Sequence, residues 1–449
     1  MNMQRVHKVI EILKEYVPEY LKQHRVDRHK LHVISTTIKC WDHELGHVVF
    51  ACPDGCGDIH TVAATCKLRF CYFCGYSQQL RWLASLGDFL PRCPYTMITF
   101  TLPLFIRPFF KADMKTMVDI LFESAFYGVQ TYAKRHQFYA GMIAVLQLVG
   151  SLLHIHPHIH MVLPLGGLSL DGTTWKPYDC YHAVTISRYY TSRFIELLKK
   201  AIRKGMALPE EYRALQEAGL LIAYLDDQMD YHEGLRQQNL KNRSKHSHFI
   251  KRHVIFTESQ SRAWNVYVSP SPKNQNSQSI PIAYIGRYMK TPPITSARIR
   301  EYTRDRVMIT VKDPEFGGKK NQTMSRDAFM EGILISIPPK SLQIVRRSGL
   351  FANTQRPKLA KAKDSLERDF KEMYREVADP NRIVEFELQN YRERQKGKTG
   401  LDPMVCSCGK TKVRVGMVYA GGVVADWILS QERVSYAKYN VIMFWYNDS

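Results

Sequence analysis

A chain of mixed helices and strands, divided into more than one domain, is predicted by three observations on this sequence. Two apolar runs joined by a turn, residues 143–149 and 158–163, read as adjacent strands. Helix-like stretches lie on either side of them. One over residues 1–27 carries Val6, Ile10, Leu13, Val17 and Leu21 on one stripe, and a short one over 282–290 is stopped by Pro292 and Pro293. Six of the ten cysteines crowd between Cys40 and Cys74, a spacing that an apolar core does not require. The length, 449 residues, exceeds what one core usually organises and predicts two or three domains.

Composition narrows the class. Hydrophobic residues make up 45% and charged residues 23%, which excludes a wholly disordered chain. No stretch of about 18 apolar residues is present, so no membrane span or membrane partner is expected. Charges interrupt the first 27 residues throughout, leaving no secretion signal, and the expected location is the cytoplasm, at the nucleoid. The net charge of +21 points to a polyanion, because lysines and arginines that neutralise phosphates release counterions. Nucleic acid is the expected partner.

The cysteine segment holds Cys40, His47, Cys52, Cys56, His60, Cys66, Cys71 and Cys74. Cys71 and Cys74 form a C-x2-C knuckle, a short turn that aims two thiolates at one ion, and Cys66 can join it. Cys52 and Cys56 form a looser C-x3-C knuckle. Structural zinc takes four tetrahedral sulfur or nitrogen ligands, so these eight candidates predict two structural zinc ions. Lys67 and Arg69 stand between the knuckles and suit phosphate contact. Cys406-Ser-Cys408 is too tight for an ordinary knuckle and shows no nearby partners, so it is expected outside the metal sites.

On the second predicted strand His158 and His160 are two apart, so they share a face, about 7 Å apart along the strand, and can ligate one divalent ion. Pro157 is expected to break pairing, which puts His154 and His156 ahead of the strand. Gln147, on the neighbouring strand, can supply an oxygen as third ligand.

Tyr284 and Tyr288 are four apart on the short helix and share a face. Two core tyrosines are the ordinary explanation of such a pair. Beside a two-histidine metal strand in a basic chain, another chemistry fits. A phenol can attack a phosphodiester if a divalent ion polarises the phosphate, because its own pKa is near ~10. Two phenols on one face allow a second exchange before the first product leaves. Arg287 and Lys290 flank the helix and can neutralise phosphates.

These motifs, with PYTMITFTLP at 94–103, HPHIHMVLPLGGL at 156–168, AYIGRYMKTPPITSARI at 283–299 and ILISIPPKSLQIVRRSGLFA at 333–352, give the chain a resemblance. It resembles the two-tyrosine HUH transposases of rolling-circle insertion sequences, the insertion sequence ninety-one family; HUH stands for His, bulky hydrophobic, His. The resemblance implies an α+β fold: an HUH endonuclease-type domain with a central antiparallel sheet and flanking helices. A zinc-binding module precedes that domain and a mainly helical C-terminal region follows it. It implies transposition of single-stranded DNA, cleaved and rejoined at element ends through a phosphotyrosine, with Mg or Mn on His158 and His160 and nucleophiles at Tyr284 and Tyr288. Related proteins often carry histidine where this chain has Gln147.

The expected organisation is an N-terminal helix over 1–30, a zinc-binding domain over 31–80 and a catalytic domain over 81–345 with a helical insertion at 186–253. An accessory region over 346–449 completes it. Three rival readings are a rolling-circle replication initiator or relaxase, a zinc hydrolase built on His158 and His160, and a non-enzymatic zinc-finger DNA-binding regulator.

Overall fold

The structure, a computed structural model, describes residues 8–40, 45–68, 70–71, 74–75, 82–83, 85–86, 89–229, 264–269, 293–312, 318–375 and 402–418. Its helices in chain order are α1 (Lys8–Leu21), α2 (Arg28–Ile38), α3 (Arg107–Ala112), α4 (Met114–Arg135), α5 (Ala183–Arg203), α6 (Glu210–Glu217), α7 (Arg326–Ser336) and α8 (Arg356–Asp369). The first strands are β1 (His47–Ala51), β2 (Ile59–Ala63), β3 (Tyr95–Thr101), β4 (Phe138–Tyr139), β5 (Gly141–Val149), β6 (Ile155–Pro164), β7 (Gly166–Ser169) and β8 (Trp175–Pro177). The later ones are β9 (Asn265–Val268), β10 (Ile299–Tyr302), β11 (Arg306–Lys312), β12 (Lys319–Ser325), β13 (Val345–Gly349) and β14 (Val413–Val418). The described residues divide into two compact units. One draws on 1–25, 85–289 and 293–381, the other on 26–84, 290–292 and 382–449.

The first unit is built on a five-stranded sheet in the order β13-β5-β6-β3-β9, in which every neighbouring pair is antiparallel. β6 is its middle strand. The apolar runs in β5 and β6 arise because alternate residues must face a core. Met142, Ala144, Leu146 and Leu148 of β5, with Ile159, Met161 and Leu163 of β6, share one cluster with Ile98 and Phe100 of β3. Helices α4 and α5 supply the other half of that core. Asp113 caps α4 by accepting from the Thr116 N–H, and Met117, Leu121, Ala125 and Val129 recur every four residues along its buried face. In α5 the same spacing recurs at Ile186, Tyr190, Phe194, Leu198 and Ile202. Each of the larger aliphatic and phenyl side chains contributes about 1.5–3 kcal/mol on burial. The two helices meet at Gly128, where a Cβ would stand 3.2 Å from the Ile186 carbonyl, so any larger residue presses them apart.

Pro157 lies inside β6, not ahead of it, and His156 lies in the strand with it. The register to β5 shifts between Gln147, opposite His158, and Val149, opposite Ile155. Pro157 therefore sits in a bulge, and pairing with β3 begins only at His158. A residue without an N–H is tolerated at such a bulge.

The expected boundary at residues 345 and 346 falls within β13, whose Val345–Gly349 pairs with β5 and closes one edge of the central sheet. Beyond it, α8 packs on β7 and β8, and the Ser365 hydroxyl accepts from the Trp175 N–H at 2.8 Å. The N-terminal helix belongs to this unit. Tyr16 of α1 donates its hydroxyl toward the carbonyls of Thr303 and Arg306 on the β10–β11 hairpin, and its ring meets Phe329 of α7 edge-on. Of the expected helical insertion, α5 and α6 are helical, and residues 230–253 lie outside the described residues.

In the second unit β1 pairs with both β2 and β14, so residues 413–418 form a strand beside residues 47–51. Among the described C-terminal residues, 402–418 are therefore part of the cysteine-rich unit, whereas α8 belongs to the first unit.

Gly349 adopts φ +59°, and a Cβ there would meet the Ala140 carbonyl oxygen at 1.9 Å. Gly349→Ala is expected to cost at least about 3 kcal/mol. The measurement is the urea midpoint of the purified chain; an unchanged midpoint contradicts the β13–β5 register.

Candidate functional site

The middle strand divides its residues between two faces. Ile159, Met161 and Leu163 go to the helical core, so His158 and His160 face the opposite side together. Cross-strand pairing sets their neighbours: Gln147 of β5 and Thr101 of β3 stand opposite His158, and Val145 and Thr99 stand opposite His160. The two imidazole rings are 4.9 Å apart between centroids, and the His156 ring is 4.9 Å from His158. Beyond Thr99 the same row ends at Tyr267 of β9, which is 53% exposed.

Hydrogen bonds orient the rings. Nδ1 of His158 lies 2.6 Å from the His156 carbonyl oxygen. A carbonyl only accepts, so Nδ1 carries the proton and Nε2 keeps its lone pair. His160 has Nδ1 at 3.2 Å from the Thr99 hydroxyl and Nε2 at 3.3 Å from Oε1 of Gln147. With the same tautomer at His160, two lone pairs face each other across 3.3 Å, an arrangement that a cation between them satisfies.

Burial keeps these imidazoles neutral. It pushes His158 down to about 4, with the Arg107 charge adding to the effect. Burial and the neighbouring His158 push His160 to about 3, and His156 goes to about 2 for the same reasons with Arg107 besides. Neutral imidazole is the form that binds a metal. The arrangement can therefore offer two ring nitrogens and one amide oxygen to a divalent ion.

The cysteines form two sets. Cys40, Cys66, Cys71 and Cys74 bring their sulfurs within 4.8 Å of one another, and so do Cys52, Cys56, Cys406 and Cys408. Individual separations are 3.6 Å for Cys40–Cys74, 3.7 Å for Cys66–Cys74 and 3.5 Å for both Cys52–Cys56 and Cys52–Cys408. Four thiolates about 2.3 Å from a tetrahedral zinc stand about 3.8 Å apart, so both sets have the dimensions of a four-cysteine zinc site. The expectation for Cys406 and Cys408 is corrected here. A turn through Gly409, in which the Gly409 N–H bonds the Cys406 carbonyl, folds them back, and Lys410–Asp54 and Lys412–Asp58 ion pairs hold that turn to the Cys52–Cys56 knuckle. His47 on β1 and His60 on β2 belong to neither set.

Sequence reasoning brought Gln147, His158 and His160 together, and the structure has them adjacent. It missed His156, Thr99 and the Cys406–Cys408 pair. Of the ten cysteines, the eight-ligand reading used six and left Cys93, Cys180, Cys406 and Cys408, and the close Cys406–Cys408 pair in that surplus was the available signal. Lys67 is exposed with φ +54° on the loop between Cys66 and Cys71. Tyr284, Tyr288, Arg287, Lys290 and Arg69 lie outside the described residues. Among the described residues, no helix is long and apolar enough to cross a membrane.

Comparison with known proteins adds two family matches. A family described as putative transposase matches residues 141–358, and one described as transposase zinc-binding domain matches residues 12–102. The chain is 24% identical over 326 residues to the transposase for insertion sequence element IS801 of Pseudomonas savastanoi pv. phaseolicola, covering 72% of this chain and 70% of the relative. It is 27% identical over 368 residues to the putative transposase y4qJ of Sinorhizobium fredii (strain NBRC 101917 / NGR234), covering 80% and 84%. No solved structure matches the chain.

The lowered histidines predict an acid sensitivity. Their ordinary value is 6.5, so as pH falls from 6.5 toward 4 the unfolded chain takes up protons that the folded one refuses. Stability is present above that window and lost through it, by about 1.4 kcal/mol per pH unit for each histidine. Urea unfolding with chelator present should show this slope, and His158→Gln should flatten it by about one proton's share. An identical slope in the variant contradicts the burial of a neutral imidazole.

Proposed function

The chain belongs to the transposase family of insertion sequence IS91, and from that premise we propose that it cleaves and rejoins single-stranded DNA at the ends of a mobile element through a covalent 5′-phosphotyrosine. The observation that carries the reading is the grouping of His158, His160 and Gln147 on one face of the middle strand of an antiparallel sheet. That architecture supports an HUH endonuclease-type domain.

The three side chains are the ones we assign to a divalent ion, Mg or Mn. The fit rests on two oriented, neutral imidazoles and an amide oxygen 3.3 Å from one of them. Such an ion supplies positive charge to the scissile phosphate. His156 and Thr99 hold the rings in place through the bonds to Nδ1.

Tyr284 and Tyr288 are the proposed nucleophiles, on the strength of their i, i+4 spacing and the match over residues 141–358. A phenol oxygen bonds to phosphorus as the bond to the 3′ oxygen breaks. The phenol proton passes to solvent and the 3′ oxygen takes one up. The second tyrosine serves the second strand. Arg287, Lys290, Lys67 and Arg69 neutralise flanking phosphates. The two cysteine sets hold one structural zinc each, a reading supported by their tetrahedral dimensions and the zinc-binding-domain match.

Two experiments test this. Incubation with Mn or Mg and labelled single-stranded DNA carrying the element end should give an adduct that survives boiling in detergent. The adduct should vanish in His158→Ala and in the Tyr284→Phe, Tyr288→Phe double variant; if it persists in the double variant, the nucleophile assignment is wrong. Elemental analysis of the purified chain should find two zinc ions, falling to about one in Cys408→Ser and remaining two in His47→Ala and His60→Ala. Loss of zinc in either histidine variant, or none in Cys408→Ser, refutes the ligand sets.

A further inference from the structure

At the start of β6 the first unit opens into a cleft of about 610 Å³ between α3, the start of α6 and residues His154 and Ile155. Arg107, Lys111 and Arg213 line it together with the carboxylates of Glu210 and Glu211. Arg107 is only 6% exposed, so its guanidinium is a charge fixed in place rather than a solvated surface group. Leu208 and Pro209 give the cleft an apolar wall.

This combination matches one ligand chemistry. A guanidinium pairs with a phosphate, an apolar wall takes the face of a base, and a carboxylate accepts from an exocyclic amine. The volume lies within the ~300–1,000 Å³ of small-ligand pockets. The cleft also leads to the histidine strand: the His154 ring in its wall is 5.8 Å from His156, which is 4.9 Å from His158.

We infer that this cleft receives one unpaired nucleotide of the DNA strand whose scissile phosphate lies at His158 and His160. Arg107 and Arg213 meet its phosphate, and Glu210 or Glu211 accepts from the exocyclic amine of its base. The inference rests on the strand-cleavage reading and deepens it by adding a base-reading position near the cut. Four strand residues span ~13 Å, and a stacked strand advances ~3.4 Å per nucleotide, so that position lies within about four nucleotides of the scissile phosphate. Thymine has no exocyclic amine, so the cleft favours adenine, cytosine or guanine over thymine.

The test is a walk of abasic replacements along a fluorescent single-stranded oligonucleotide of the element end, with binding to the full chain read by anisotropy. One position within about four nucleotides of the cut should lose about tenfold in affinity when abasic, and should lose affinity with thymine. In Leu208→Trp, which fills the cleft, that position should become as insensitive as its neighbours. If that variant fails to fold, the exposed Arg213→Ala should weaken binding at least about threefold and the Glu210→Gln, Glu211→Gln variant should lose the discrimination against thymine. Equal sensitivity at every position, or an unchanged walk in the cleft variants, overturns the inference. His158→Ala separates the two readings: it should abolish the adduct and keep the walk pattern. Cleavage without a sensitive position sinks the cleft alone, and a sensitive position without any adduct in the parent chain sinks the cleavage reading.

Discussion

The arrangement of the first unit depends on desolvating imidazoles on the middle strand of an antiparallel sheet. An imidazolium cannot be kept there, because burial penalises its charge. His158 and His160 are therefore held as neutral bases, and each must satisfy Nδ1 locally. The His156 carbonyl and the Thr99 hydroxyl do this, which directs both Nε2 atoms away from the backbone. The strand position itself is set from behind. Ile159, Met161 and Leu163 lock into the α4–α5 core, and the pleat turns the two histidines to the other face.

Legibility in the sequence followed the range of the interaction. The two strands were visible because alternation and an apolar run are local signals, and the shared face of His158 and His160 needs only the period of a strand. The adjacency of Gln147 followed from the same hairpin. Pro157 misled, because its missing N–H argues against pairing unless a bulge absorbs it, and a bulge is a property of two strands together. β3, β9 and β13 reach the sheet from 95–101, 265–268 and 345–349, and no local pattern announces their order.

The cysteine module shows the same limit more sharply. Cys71-x2-Cys74 is legible because a knuckle is a turn. Cys52 and Cys408 are separated by 356 residues, and no spacing rule joins them. Histidines from β1 and β2 looked like the nearer ligands. In the structure β1 pairs with β2 on one side and with β14 on the other, and the sulfurs gather without the imidazoles. The exposed Lys410–Asp54 pair stabilises the return of the chain only modestly, since exposed pairs contribute about 0–1 kcal/mol, while Lys412, paired to Asp58, is shielded from solvent. Strand pairing and the sulfur cluster carry the rest.

That return has a consequence for the birth of the protein. Residues 52 and 56 leave the ribosome well before their partners at 406 and 408. Until those partners are made, the first pair is a dithiol without the other two sulfurs of its set. The second sulfur set therefore gains all four of its thiols only after residue 408 has been made.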